Sequence, residues 1–505
     1  MKRRVFIVLS IVTILLANFS HAAITKGPYL INPQQTSMTI MWESDTSEKA
    51  VISYGLNTDL SLSMSLRPFA ERDSLFLYQV HLKQLRPALK YFYQIHMTDD
   101  QSEILYFKTA PHEDSAIDFV AIGDSRTGHD IHRSISEAII TIDPDLIISM
   151  GDLVGTGGNF EEWKSDFFEP AAHVIDHIPL ISTLGDHDTQ KDNGGNFHYY
   201  LRPTSSADRL WFSYDYGPAH FISLDYRAEN DPEMIDWFEK DIAASKKKWK
   251  FVYLHRPSYN LGGHRTNWGP DHWPALYRKH KIDIVFAGHS HMYERFYPMR
   301  PADDPDAWPV TYITTGGAGA SLYESVKHPY LAVTQSVNHL MHFKIRSDTL
   351  IAVTILPDMS QIDSFKIIIE NGHYNSDYLK LVKTQELMDV HMAFASQLLI
   401  RFNDIPSKSK PAIQELRFAS NVITEHVKFE VCLAPESYNY YRLLPFKGIL
   451  KPGQTFSDSI RVYAKYPVGN NRRYFDPPLF FNAYYKTSTL DGVAIGRESR
   501  YYPLP

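Results

Sequence analysis

LIISMGD, residues 146–152, decides the fold. An apolar run of this length, closed by glycine and a polar residue, reads as a strand buried on both faces. The same pattern comes earlier, where Ile117 to Ile122 meets Gly123-Asp124. It returns where Ile178 to Leu184 meets Gly185-Asp186-His187. Between these runs, Ile131 to Ile140 and Phe160 to Val174 carry helical spacing. Strands alternating with helices are βα units, so the middle of the chain is an α/β layer covered by helices. Trp211 to Tyr216 and Phe221 to Asp225 read as a hairpin, and Pro232 to Lys248 as a helix. Phe251 to Leu254 is a strand that ends at His255. Ile282 to Ala287 is another that ends at Gly288-His289. Tyr312 to Ala320 (YITTGGAGA) is a strand followed by a glycine turn.

Outward from this unit, both flanks change character. Residues 24 to 110 read as β. Met38, Ile40 and Trp42 alternate with Thr39, Met41 and Glu43, the pattern of a half-buried strand. Turn signals recur about every 10 residues, as in an all-β sandwich. Leu379, Leu381, Val382, Leu387 and Met388 predict a helix between about 375 and 400, and DIPSKSKP (404–411) reads as a linker. From Ala412 onward short strands return, rich in Tyr and Phe (Tyr438, Tyr440, Tyr441, Phe480, Tyr484). The expected domains are 1–22 (leader), 23–112 (β-sandwich), 113–370 (α/β), 371–411 (helical segment and linker) and 412–505 (second β-sandwich). The fold class is multidomain: N-terminal β-sandwich, central α/β with a β-sandwich flanked by helices, and C-terminal β-sandwich. The C-terminal module is expected to dock or bind a partner.

Composition narrows the function. The 505 residues are 44% hydrophobic and 22% charged, ordinary for a globular chain. Net charge is −7, which leaves no basic excess for a nucleic-acid backbone. A single cysteine, Cys432, excludes a disulfide framework and a thiolate zinc site. Lys2, Arg3 and Arg4 precede an apolar run, Val5 to Ala17, that is too short to span a bilayer comfortably. Small residues flank Ala22, so the start reads as a secretory signal peptide cut there. Removing its three positive charges takes the net charge from −7 to −10. The mature protein is expected to be exported, periplasmic or secreted, with no membrane span.

The chemistry lies at the strand ends. In chain order they deliver Asp124, Asp152, Asp186, His255, His289 and His291. Strand carboxyl ends are where open α/β sheets place their sites. A lone Gly-Asp is usually a turn, and a lone His-x-His usually a surface feature. Five such ends spaced 28, 34, 69 and 34 residues apart are a constellation. Carboxylates and imidazoles without thiolates suit Zn, Mn or Fe(II). Six donors exceed the need of one tetrahedral ion and fit a pair of divalent ions about 3.5–4 Å apart.

The order GDSRTG, MGDLVGTG, LGDHD, LHRP and AGHSHMYER resembles the calcineurin-like metallophosphoesterases. The β-module with its Leu-x-Pro-x3-Tyr-x-Tyr run resembles a fibronectin type III domain, with Tyr91 at the tyrosine corner. Together with SYDYGPAHFISLDY (213–226) and YITTGGAGA, it resembles the purple acid phosphatase branch. The resemblance covers about residues 25 to 366. It implies that Asp124 and His291 bind a first metal and that Asp186, His255 and His289 bind a second. Asp152 would bridge them, and His187 would lie beside the substrate phosphate. A metal-bound hydroxide would attack a phosphomonoester in line. Asp188 is a candidate to orient His187, and Arg126 to point its fork at a phosphate oxygen. His264, Arg265 and His272 are candidate substrate contacts, and His129 or His132 could complete the first metal. Glu294 and Arg295 read as a structural pair.

Three departures stand out. Gly155 replaces the branch's ligand tyrosine, Arg126 replaces the histidine many members carry, and Asp186 replaces the usual asparagine. Without a phenolate, a pair of divalent ions is expected in place of Fe(III) with a divalent ion. The activity implied is that of an acid phosphatase. The alternatives are a phosphodiesterase or nucleotidase on the same donors, and a decayed binding or scaffold protein.

Overall fold

The computed structural model describes residues 24–201, 209–402, 404–418, 426–470, 475–487 and 491–499. The expected leader, residues 1–22, lies outside them. Three domains follow one another along the chain.

The N-terminal domain is built from two four-stranded antiparallel sheets. One contains Met38–Ser44 beside Leu75–Leu82, and the other Ala50–Gly55 beside Lys90–His96. Trp42, Tyr78, Tyr93 and Phe107 fill the space between them, all fully buried. The Tyr91 hydroxyl accepts from the Arg86 backbone N–H at 2.9 Å, the bond that fixes a tyrosine corner.

The central domain stacks two seven-stranded sheets. In the first, Ile117–Ile122, Leu146–Ser149 and Leu180–Ser182 run parallel. In the second, Ala219–Ser223, Trp249–Leu254, Ile284–Ala287 and Thr311–Thr315 run parallel. Phe119, Phe221, Phe251, Phe286 and Phe343 interlock between the sheets. Burying each such ring contributes roughly 1.5–3 kcal/mol. Parallel pairing matters for function because it puts the strand carboxyl ends on one rim. The segment Phe160–Val174, expected as one helix, has a wider π-type turn at Trp163–Phe168 between two short α-helical pieces.

The segment after residue 371 packs against both neighbouring domains. Tyr374 and Tyr378 pack in the central core, and Lys383–Thr384 pairs with Met299–Arg300. The helix Gln385–Ala395 then divides its faces. Met388 and Met392 pack into the central domain, whereas Val390, Ala393 and Phe394 pack into the C-terminal core. Leu399–Arg401 is already a strand of the C-terminal five-stranded sheet, which faces a three-stranded one. Of the aromatics singled out in that module, Tyr438, Tyr440 and Tyr484 are exposed and Tyr441 is buried.

Candidate metal centre

The strand ends converge. Asp124, Asp152 and His255 bring ligand atoms within 4.8 Å of one another, and so do Asp186, His255 and His289. The two groups share His255, which is fully buried. Asp124, Asp152 and His289 have φ of 59°, 56° and 66°, in the left-handed region where non-glycine residues are uncommon. Strain of this kind gathers at functional sites. The Asp124 carboxylate sits between Gly288 and Gly316. A Cβ there would lie 2.4 Å and 2.7 Å from Asp124 Oδ2, so both positions must be glycine.

Hydrogen bonds fix which nitrogen faces inward. His255 Nδ1 lies 2.8 Å from the Met150 carbonyl and must donate to it. Its Nε2 is buried without a hydrogen-bond partner and lies 3.4 Å from Asp152 Oδ1. A buried nitrogen with no hydrogen-bond partner beside a carboxylate fits the role of a metal ligand. His289 Nδ1 lies 3.3 Å from Asp186 Oδ2. Burial lowers the His255 pKa, but the carboxylates of Asp152, Asp124 and Asp186 outweigh it and push the value up to about 9. The same surplus of negative charge attracts a cation. The donors therefore fit a hard or borderline divalent ion.

His291 stands apart from both donor groups. Its Nδ1 is 2.7 Å from the Ser321 carbonyl, so Nε2 holds the lone pair. That lone pair faces Arg126 Nη2 at 3.3 Å and Asp124 Oδ1 at 3.5 Å. Arg126 Nε donates to Asp152 Oδ2 at 3.2 Å. Arg126 thus pairs with a candidate ligand from inside the centre. Arg256 pairs with Asp186 through three contacts of 2.9–3.3 Å and covers the Tyr226 ring.

His187 sits at the rim, half-buried. Its Nδ1 lies 2.6 Å from the Gly155 carbonyl and its backbone N–H donates to Asp152 Oδ1 at 2.8 Å. Asp188 does not orient that imidazole. Its buried carboxylate accepts from the N–H groups of Asp152, Leu153 and Gly185 at 2.8–2.9 Å, so it shapes the loop that carries Asp152. Burial, then the Asp152 charge, raises the Asp188 pKa to about 7. His129 and His132 turn away from the centre toward Asp166, at 2.7 Å and 3.0 Å. A Cβ on Gly155 would meet Glu162 Oε2 at 2.9 Å, so a larger side chain there would have to displace that carboxylate.

The loop after His255 forms the far wall. His264 stacks on His289 at 4.1 Å between ring centroids, and Tyr323 stacks on His291 at 4.5 Å. His272 instead faces the Glu229 carbonyl. Glu294 is a structural clamp, accepting from Asn260, Leu261 and Gly262, and Arg295 pairs with Asp363. Tyr323 escaped the sequence reading because a loop tyrosine carries no spacing signal.

Comparison with known families agrees with this geometry. Residues 117–293 match the calcineurin-like phosphoesterase family, and residues 27–109 match the purple acid phosphatase N-terminal domain. The protein is a calcineurin-like metallophosphoesterase carrying a purple acid phosphatase N-terminal domain. This metallophosphoesterase is 25% identical over 350 residues to acid phosphatase type 7 of Danio rerio, covering 56% of this chain and 76% of that one. It is 24% identical over 313 residues to the probable inactive purple acid phosphatase 27 of Arabidopsis thaliana, covering half of each. The fold is shared with purple acid phosphatase PPD1 from yellow lupin seeds. There the TM-score is 0.60 at 18% identity, over 68% of this chain and 75% of that one.

Proposed function

We propose that the protein hydrolyses phosphomonoesters with bound divalent metal, outside the cytoplasm, after a leader ending at Ala22 is removed. The observation that carries the reading is the orphaned His255 Nε2 among Asp124, Asp152, Asp186 and His289. Fe, Zn and Mn suit these donors. Bound metal would supply Lewis-acid stabilisation of the phosphoryl oxygens and a hydroxide source near neutral pH.

The chain's own residues do the rest. Arg256, on the exposed side of Asp186, brings positive charge where developing negative charge on phosphate is stabilised, and Arg126 adds charge from inside the centre. His187 donates Nδ1–H to the Gly155 carbonyl, and in the imidazolium form its Nε2–H would pass a proton to the leaving oxygen. His264 and Tyr323 wall the opposite side. No helix among the described residues is long and apolar enough to cross a membrane.

A second reading, a decayed scaffold, has one observation in its favour: Arg126 stands among the ligands. Hydrolysis of a panel of phosphomonoesters and diesters, with Mn, Zn, Fe(II) or Mg added, tests both. The proposal expects monoester turnover that a chelator abolishes. A preference for diesters would assign the chemistry to a phosphodiesterase or nucleotidase, and no turnover with any metal would favour the scaffold.

A further inference from the structure

We infer that the centre holds one tightly bound metal ion, with the Arg126 guanidinium standing as the resident cation where a second would bind. The inference rests on the metal-dependent reading above and narrows it.

The two donor groups share His255, and neither includes His291. The separation has a visible cause. Arg126 reaches between Asp152 Oδ2 (3.2 Å) and His291 Nε2 (3.3 Å), donating to both. The Nε2 lone pair of His291 is the one a metal would need, because Nδ1 is committed to the Ser321 carbonyl. A guanidinium does not deprotonate in a protein, so it leaves neither partner by losing charge.

Arg126 is also held in place from behind. The Arg126 backbone N–H donates to the Asp152 carbonyl at 3.2 Å, and Ala320 N–H donates to the Asp124 carbonyl at 2.9 Å. A Cβ on Gly128 would lie 2.0 Å from the Gly319 carbonyl, so the strand-end loop packs backbone to backbone. The Arg126 side chain is 14% exposed. Swinging it out would unpair a largely desolvated cation.

Arg256 is different. Its hydrogen bonds among the described residues go to Asp186 alone, and its side chain is 42% exposed. Among the described residues Arg256 makes no bond to His255 or His289, and His255 Nε2 keeps no hydrogen-bond partner. Charge follows the same division. A second divalent ion beside the fixed Arg126 guanidinium would add like-charge repulsion.

Metal stoichiometry tests this without reference to activity. The full chain is loaded with excess Mn(II), desalted, and assayed for bound metal and by electron paramagnetic resonance. The wild type is expected to hold one ion and give the signal of an isolated Mn(II). Arg126→His, which replaces the cation with an imidazole ligand, is expected to hold two ions with the spectrum of a coupled pair. Arg126→Ala should raise second-ion affinity at least tenfold, and Arg126→Lys should stay at one. Two ions in the wild type would overturn the inference while leaving the metal-dependent reading intact. One ion in the wild type, Arg126→His and Arg126→Ala alike would also overturn it, by showing that Arg126 excludes nothing. No metal in any folded form would sink the parent reading itself.

Discussion

The N-terminal module meets the central domain through the carboxylate of a buried ion pair of its own, whereas the C-terminal side meets it through groups held neutral by burial. At the first seam Lys26 pairs with Glu43, both buried, and Tyr200 of the central domain donates to Glu43 at 2.9 Å. The helix carrying Tyr200 also carries Asn196, which takes a bond from Arg72 and donates to the Gly157 carbonyl at 2.7 Å. Gly157 in turn donates to the His187 carbonyl. At the second seam Asp389 accepts from Tyr259 at 2.6 Å, and His391 lies 2.8 Å from the Tyr485 hydroxyl. Tyr259 belongs to the loop between His255 and His264. Each flanking module therefore braces one wall of the centre, and only the second does so through a carboxyl, Asp389, whose pKa burial raises to about 7.

The sharpest way to break this comparison is at the walls themselves. His187→Ala is expected to lower turnover about 10²–10⁴-fold while metal content holds, with a smaller loss for a nitrophenyl ester. An equal loss for good and poor leaving groups would remove the proton-donor role from the first wall. Next in size is the first seam. Glu43→Ala leaves Lys26 buried and unpaired, and is expected to cost about 3–5 kcal/mol in thermal or denaturant unfolding. A cost under about 1 kcal/mol, that of a surface pair, would mean the ion pair is not what holds this module.

The second seam should respond to pH. Burial, then His328 and Arg265, lowers the His391 pKa to about 3, so the unfolded chain binds more protons there below about 6.5. Its contribution is present above pH 6.5 and is lost as pH falls. Burial raises Asp389 to about 7, and that contribution is present below the unfolded value near 3.9 and is lost as pH rises. Between about pH 4 and 6.5 the two slopes oppose and nearly cancel. Asp389→Asn should tilt stability upward with pH by about 1.4 kcal/mol per pH unit, and His391→Asn should tilt it downward by as much. Parallel profiles for both variants and the wild type would end the idea of a titrating seam. The smallest effect is expected at the second wall, where His264→Ala should change kcat less than about tenfold and act mainly on KM.

Much of this was legible in the chain. Apolar runs closed by Gly-Asp or Gly-His give both the parallel strands and the ligands, because a buried strand must end before a charged side chain can reach water. The roles of Arg126 and Asp188 were not legible. A guanidinium spans several ångströms, and only the fold decides whether it meets a ligand or a phosphate. Asp188 follows His187 in sequence, but its carboxylate turns toward backbone N–H groups that a sequence does not display. The helix Gln385–Ala395 was legible as a helix, but its two packing partners were not. It is apolar on two faces, and a pattern cannot say that they belong to two different cores.

That divided helix also sets the order in which the molecule can be finished. During synthesis the central domain is complete first, and Met388 and Met392 have their partners as soon as they emerge. Phe394, on the other face, waits for Phe429 and Tyr485, and the strand Leu399–Arg401 waits for its parallel neighbour at Arg497–Ser499. Pairing across so long a stretch of chain is slow, because loop closure must come before any contact rewards it. For that interval a nascent chain presents an aromatic side chain and an unpaired strand edge together. This is the kind of surface that chaperones bind and that drives aggregation when they are scarce.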